Sequence, residues 1–214
     1  MKAVIASPFL WAPTQLTYVM ANELETLIRG FGWDVVRLSG PQNLRLLFSY
    51  AVASHPDAVL IAYMGHASRS AFLGEDMFGL GILGVDNAGE AREHIVVGLP
   101  ACLSAQQLGP ALVKAGAKAF VGSREEMYAQ WNESEHNYMS DWFDYTLTFY
   151  RSLVGSLSAG KGVDEALGKA LKDYQDRCTH YMELYKNNLQ TWPNADFYTV
   201  AVRQNRDFVV GFIR

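Results

Sequence analysis

Five short apolar runs, each closed by Gly, Pro, Ser or Asp, constrain this 214-residue chain more than any other feature. They cover residues 3–6, 34–38, 58–64, 94–99 and 118–122. Several are apolar throughout, and continuous apolar strands are what a sheet covered on both faces requires. Helical spacing fills the gaps between them. Leu16, Val19, Met20, Leu24, Leu27 and Ile28 mark a first helix, stopped by Gly30 and Gly32. Pro41 opens a second, with Leu44, Leu47, Phe48 and Ala51 on one face, and a third spans about 105–115, closed by Gly116. The order β-α-β-α-β, a long insertion, then β-α-β predicts an α/β fold. Its sheet is doubly wound and mostly parallel, because right-handed crossovers set helices on both faces.

After Gly122 the rhythm changes. Met139, Phe143, Leu147, Tyr150, Val154 and Leu157 predict one long amphipathic helix. Beyond Ala159-Gly160-Lys161-Gly162 a second carries Ala166, Leu167, Ala170, Leu171 and Tyr174. Two strand-like runs follow, 197–202 and 207–213, split by Gln204-Asn205-Arg206. No repeat or linker interrupts the pattern, so residues 1–214 read as a single domain.

Composition excludes whole classes of function. A chain that is 50% hydrophobic and 19% charged is not disordered. A formal charge of −4 offers no footprint for nucleic acid. No run approaches the ~20 apolar residues of a membrane span, and residues 1–11 lack the longer apolar stretch and cleavage site of a signal peptide. Asn132-Glu133-Ser134 matches a glycosylation sequon, a triplet that arises by chance. Two cysteines cannot build a disulfide framework, which favours a reducing compartment and a cytoplasmic location.

In an open parallel sheet, chemistry gathers beyond the carboxyl ends of the strands. The third run ends in Gly65-His66-Ala67-Ser68 and the fourth in Pro100-Ala101-Cys102-Leu103-Ser104. A thiol acts as a nucleophile when its pKa falls or a base stands near it. Ser104-Ala105-Gln106-Gln107 matches an S-x-x-Q capping box, which would put Cys102 just before a helix N-terminus that favours its thiolate. His66, on the preceding strand, would take the thiol proton and return it to a leaving amine. Backbone N–H groups at Cys102 and around Gly65 or Ala67 would hold an oxyanion. The plainer reading is a small core cysteine and a strand-end histidine, each satisfied locally.

Val59-Leu60-Ile61-Ala62-Tyr63-Met64-Gly65-His66 resembles the strand ending in a catalytic Gly-His in the caspase–gingipain clan of cysteine peptidases. Ile95-Val96-Val97-Gly98-Leu99-Pro100-Ala101-Cys102 resembles the strand of that clan ending in Ala-Cys. The segment after the cysteine, through Gly116-Ala117-Lys118-Ala119-Phe120-Val121-Gly122, and the helix start Gly162-Val163-Asp164-Glu165 are similar to gingipain-like and CHAT-like members. The likeness covers about residues 1–170. It implies a caspase-like three-layer α/β sandwich and an endopeptidase with Cys102 as nucleophile and His66 as general base. Gly65, Ala67 and Ser68 then lie beside the oxyanion and substrate site, and the implied partner is a peptide or protein substrate, with no cofactor or metal. Two positions depart from the pattern. Ala67 stands where the clan usually has Gly, and Pro100 stands where caspases carry Gln and metacaspases Asp, which removes one polar handle on the P1 side chain. Arg124 falls where caspases have an S1 arginine; a surface salt bridge is its plainer role. The alternative from another class is an inactive relative, or a small-molecule- or protein-binding α/β domain with a structural Cys102.

Other motifs carry less. Gly79-Leu80-Gly81-Ile82-Leu83-Gly84 spells G-x-G-x-x-G, yet a turn follows it where a dinucleotide site needs a helix. A glycine-rich loop over the site is the better expectation, in which Glu75, Asp76, Asp86 or Asn87 could orient His66. Cys178 and His180 point to different helix faces and lack further metal ligands, so Cys178 reads as core. Tyr138, Trp142, Phe143, Tyr145, Phe149 and Tyr150 exceed one buried stripe. They suggest an oligomer or partner surface along helix 138–150.

Overall fold

A computed structural model describes residues 1–9, 12–75, 81–133 and 135–214. The fold is α/β, and its contacts divide it into two compact units, Met1–Glu126 with Val210–Arg214, and Met127–Val209.

The first unit is built on six strands: β1 (Lys2–Ser7), β2 (Asp34–Ser39), β3 (Ala58–Tyr63), β6 (Ile95–Val97), β7 (Ala119–Ser123) and β8 (Val209–Ile213), in the order β2-β1-β3-β6-β7-β8. β1 pairs in parallel with β2 and β3, β3 with β6, and β6 with β7. The Arg214 N–H donates to the Lys118 carbonyl (3.1 Å), setting the end of β8 beside the start of β7, so β8 runs against its neighbour. Three helices complete the crossovers: α1 (Ala12–Gly30), α2 (Arg45–Ser54) and α3 (Leu108–Lys114).

Four of the apolar runs, β1, β3, β6 and β7, are strands with both faces buried, whereas the edge strand β2 is only partly buried. Val4, Ala6, Ile61, Tyr63, Val96 and Phe120 share one core with Phe48 and Val52 of α2 and Leu108 and Leu112 of α3. The residues of opposite parity, Ala3, Ile5, Leu60, Ala62, Ile95, Val97, Ala119 and Val121, are fully buried as well. Burial on both sides of a strand is the condition for a parallel sheet, and it leaves no room for polar alternation.

Four local expectations are corrected. Residues 67–93 hold a two-stranded antiparallel hairpin, β4 (Ala71–Leu73) and β5 (Gly81–Gly84), where a flexible loop was expected. Its Phe72 ring reaches so close to Gly98 that a Cβ there would lie 2.6 Å from the ring. Gly81 to Gly84 of the G-x-G-x-x-G motif are therefore strand, whereas Gly79 and Leu80 lie outside the described residues. Pro41 belongs to a 3-10 turn, Gly40–Gln42, and α2 starts only at Arg45. The third helix starts at Leu108 rather than about residue 105.

The fourth correction lies in the second unit. Residues 197–202 are not a strand; they belong to α6 (Ala195–Phe208). Ala195, Tyr198, Ala201, Val202 and Asn205 are its buried positions, a helical spacing that outweighs the β-branched and aromatic content of the segment. The two expected long helices are α4 (Tyr138–Ser158) and α5 (Val163–Asn187), with α4 packed on α5 and α5 on α6. Asn205 accepts from the Tyr128 N–H (2.8 Å) and donates to the Tyr128 carbonyl and the Tyr145 hydroxyl (both 2.9 Å). The expectation of an aromatic partner surface on 138–150 has no exposed ring to rest on. Tyr138, Trp142, Phe143, Tyr145, Phe149 and Tyr150 are all buried. Ser134 of the sequon lies outside the described residues.

Candidate active site

The strand order reverses between β1 and β3, since the chain first steps outward to β2 and then returns to the other side of β1. A crevice beyond the carboxyl ends is expected at such a point. Ser7-Pro8 leaves β1 there and Gly65-His66 leaves β3. The two turns press together, for a Cβ at Gly65 would stand 2.6 Å from both Pro8 Cγ and the Tyr63 hydroxyl oxygen. Glycine at 65 is thus a requirement of space.

Cys102 follows β6, which pairs directly with β3, Ala62 opposite Val97. His66 and Cys102 are both half-buried at this edge of the sheet. Tyr63, the last residue of β3, is bonded to the His66 backbone and senses the charge of Cys102. Its single O–H is shared between the carbonyls of His66 (2.5 Å) and Leu73 (2.7 Å). Its ring stacks on Phe72 with centroids 4.2 Å apart. Burial pushes the Tyr63 pKa well up, and the charges of Glu75 and Cys102 raise it further. The hydroxyl therefore remains a donor, and the Cys102 sulfur and Glu75 carboxylate lie within its electrostatic reach. Tyr63 was hidden from the sequence argument inside an apolar run. Its only signal was a hydroxyl three residues before the histidine.

Around His66 the backbone is held by the hairpin. The Leu73 N–H donates to the His66 carbonyl (3.0 Å) and the Ser68 N–H to the Ala71 carbonyl (2.8 Å). Ala67 and Phe72 are then a non-hydrogen-bonded pair, which turns the Ala67 N–H away from the hairpin. The Ser68 hydroxyl accepts from the Ser70 and Ala71 N–H groups (3.2 and 3.1 Å), so it closes the turn. Partial burial lowers the pKa of His66, which keeps the imidazole neutral, the form a general base needs.

The loop after Cys102 differs from the expected helix start. The N–H groups of Leu103 and Ala105 donate to the carbonyls of Glu125, just past β7, and Ser123, its last residue (3.0 and 2.9 Å). The Ser104 hydroxyl donates to the Ala101 carbonyl (3.0 Å) and caps nothing. The Arg69 carbonyl instead takes the Gln107 and Leu108 N–H groups (3.1 and 2.9 Å) at the start of α3. The helix N-terminus is therefore occupied and lies beyond Leu103-Ser104-Ala105-Gln106-Gln107, so it does not stabilise a Cys102 thiolate. These peptides found partners on the neighbouring strand instead of four residues back. Leu103 has φ +55°, an uncommon left-handed conformation for a bulky residue directly after the thiol.

Pro100 is buried behind Cys102, after a cis Leu99–Pro100 peptide. Arg124, just past β7, is exposed, and among the described residues it makes no ion pair. Of the loop acids, Glu75 is buried and accepts the Phe9 N–H. Asp86 pairs with Arg45 at 2.6 Å on the surface, and Asn87 is spent on Gly84 and Ile82 of the hairpin. Asp76 lies outside the described residues. Cys178 is fully buried in the second unit, where burial pushes its thiol pKa far up, so that sulfur is inert.

No group of three or more metal-ligating side chains occurs among the described residues, and no described helix is long and apolar enough to cross a membrane. No family model, curated protein or solved structure matches this chain.

Proposed function

We propose that the chain is a cysteine endopeptidase of caspase–gingipain-like fold, with Cys102 as nucleophile and His66 as general base and acid. The observation that carries this reading is the pairing of β3 with β6. It sends a neutral, half-buried histidine and a half-buried thiol out of neighbouring strands at the same sheet edge, next to the switch point.

His66 accepts the Cys102 proton as the sulfur attacks the carbonyl carbon of the scissile amide. The oxyanion that forms takes the outward Ala67 N–H. Collapse breaks the C–N bond, and the amine leaves with the proton held by His66. Water, deprotonated by the same imidazole, then hydrolyses the thioester and restores the thiol. The buried Gly65 and Pro100 back the proposed site for a peptide from behind His66 and Cys102, with the exposed Arg124 at its outer edge. Ser68 serves it by fixing the turn that presents Ala67.

One observation favours a second reading, a non-catalytic α/β domain with a structural Cys102: the helix N-terminus that would activate the thiol is taken by Arg69. Iodoacetamide labelling and a peptide-amide library separate the two. The peptidase reading expects Cys102 to label near neutral pH with a rate that follows one ionisation. It also expects the Cys102→Ala and His66→Ala variants, still folded, to lose hydrolysis. A thiol that resists labelling, together with no hydrolysis across the library, assigns the chain to the second reading.

A further inference from the structure

The rings of α4 are buried, yet the second unit exposes aromatic and apolar side chains elsewhere. Phe197, 52% exposed, and the exposed Val200 stand one turn apart on the outer face of α6. The exposed Tyr128 ring meets Phe197 edge-on, with centroids 6.3 Å apart. Trp131, 49% exposed, follows three residues after Tyr128, and the Tyr198 hydroxyl donates to its carbonyl (3.4 Å). The inner face of α6 is made by Tyr198, Ala201, Val202 and Asn205, so the outer rings are spare to the core. Exposed aromatic and apolar side chains gathered in this way mark interaction surfaces.

Charge says what belongs there. Glu133 accepts from the Asn194 side-chain amide (2.9 Å) at the start of α6 and stands 3.5 Å from the Tyr198 hydroxyl. Both partners are neutral. Asp196 is exposed in the first turn of α6, beside Phe197. Neither carboxylate makes an ion pair among the described residues, whereas Lys161, Lys169, Lys172, Arg177 and Arg206 are all paired with other acids. The α6 N-terminus offsets part of this charge. The rest reaches inward: burial first, then Tyr198 and the charges of Glu133, Asp141 and Asp196, push the Tyr138 pKa up to about 12. One cation shares the face. Arg203 is exposed one turn beyond Val200, about 10 Å along the helix from Asp196, so the surface is anionic at the start of α6 and cationic two turns on.

An aromatic face attracts an ammonium or guanidinium, and a nearby carboxylate pairs with it. The same carboxylates repel phosphate, which disfavours nucleic acid and anionic lipid as occupants. Residues 127–209 hold eleven acids against eight Lys and Arg, so two copies of this unit also repel one another.

We propose that Tyr128, Trp131, Phe197 and Val200, edged by Glu133 and Asp196, dock a cationic segment of a protein partner, a Lys or Arg flanked by aliphatic residues. The cation lies at the Glu133 and Asp196 end, and its aliphatic neighbours cover Phe197 and Val200. The inference draws on the second unit alone and does not depend on Cys102.

A chemical-shift titration of the full-length 15N-labelled chain with acetyl-Leu-Lys-Leu-Lys-Leu-amide tests it, beside the peptides with Gln or Glu in place of Lys. The chain carries Cys102→Ala, so that no hydrolysis consumes the probe. Saturable shifts are expected at Tyr128, Trp131, Phe197 and Val200 with the Lys peptide, roughly tenfold weaker binding with Gln, and none with Glu. Glu133→Gln keeps an acceptor for Asn194 and removes the charge. It should weaken binding about threefold and flatten its dependence on salt. Phe197→Ser, at an exposed position, should weaken it roughly tenfold, and Asp196→Asn carries the charge test if Glu133→Gln fails to fold. Absence of saturable shifts at these residues overturns the proposal. So does equal binding of the Gln peptide, or unchanged affinity in both charge variants. Sedimentation that shows self-association without peptide, abolished by Phe197→Ser, makes a second copy the occupant and overturns it too.

Discussion

Tyr63 shows how one hydroxyl can fix a reactive loop without touching a reacting atom. Its ring is clamped on Phe72, and its O–H reaches the carbonyls of His66 and Leu73. Tyr63→Phe keeps the stacking and removes the donor. It leaves the Leu73 carbonyl without this donor, and should cost about 1–2 kcal/mol in urea unfolding. The loss should also lower thiol labelling or hydrolysis by more than stability alone accounts for, because the His66 backbone is freed. His66 itself predicts a pH dependence. Its pKa is depressed by partial burial, so the unfolded chain takes up the proton first as pH falls. Its contribution is constant above the ordinary imidazole range, and stability drops as pH is lowered through about 6.5. Urea midpoints compared at neutral and mildly acid pH should show that drop, and His66→Gln should flatten it.

Among the elements, α6 carries the sharpest test, because its residues first suggest a strand. Asn205 on its buried face satisfies both backbone groups of Tyr128 and meets the Tyr145 hydroxyl. Asn205→Ala strands those groups and opens a small cavity, a loss of about 3 kcal/mol that thermal unfolding should register. The misreading of 197–202 has a physical cause. Phe197, Tyr198, Thr199, Val200 and Val202 are strand formers by type, and tertiary burial at Ala201, Val202 and Asn205 overrides that preference. Four of the five parallel strands were legible because burial on both faces forces an apolar run with no alternation; the edge strand β2 is only partly buried and keeps Arg37. The hairpin was not, since Ala71–Leu73 and Gly81–Gly84 are too short to show a period and depend on Phe72 finding the space above Gly98. For the same reason the histidine and the cysteine could be placed at strand ends from sequence, whereas the loop after Cys102 could not. Ser104 has the right type for a cap, and only the neighbouring carbonyls of Ser123 and Glu125 decide that its segment stays unwound.

At the scale of the molecule, the first unit is completed by residues that come after the whole of the second. β8 covers the outer edge of β7, Phe212 packs near Phe120 with centroids 6.4 Å apart, and Arg214 reaches Glu93. A variant lacking 210–214 uncovers a row of unpaired β7 backbone groups. It should lose about 3 kcal/mol of stability and scatter more light on concentration, as an open strand edge invites pairing between copies. The same connectivity sets an order of events during synthesis. A ribosome delivers β1, β2, β3, β6 and β7 early, then spends the time needed to make three long helices before β8 emerges. Throughout that interval the nascent sheet displays a bare apolar margin, which makes the partly made chain a client for chaperones until its own last strand arrives.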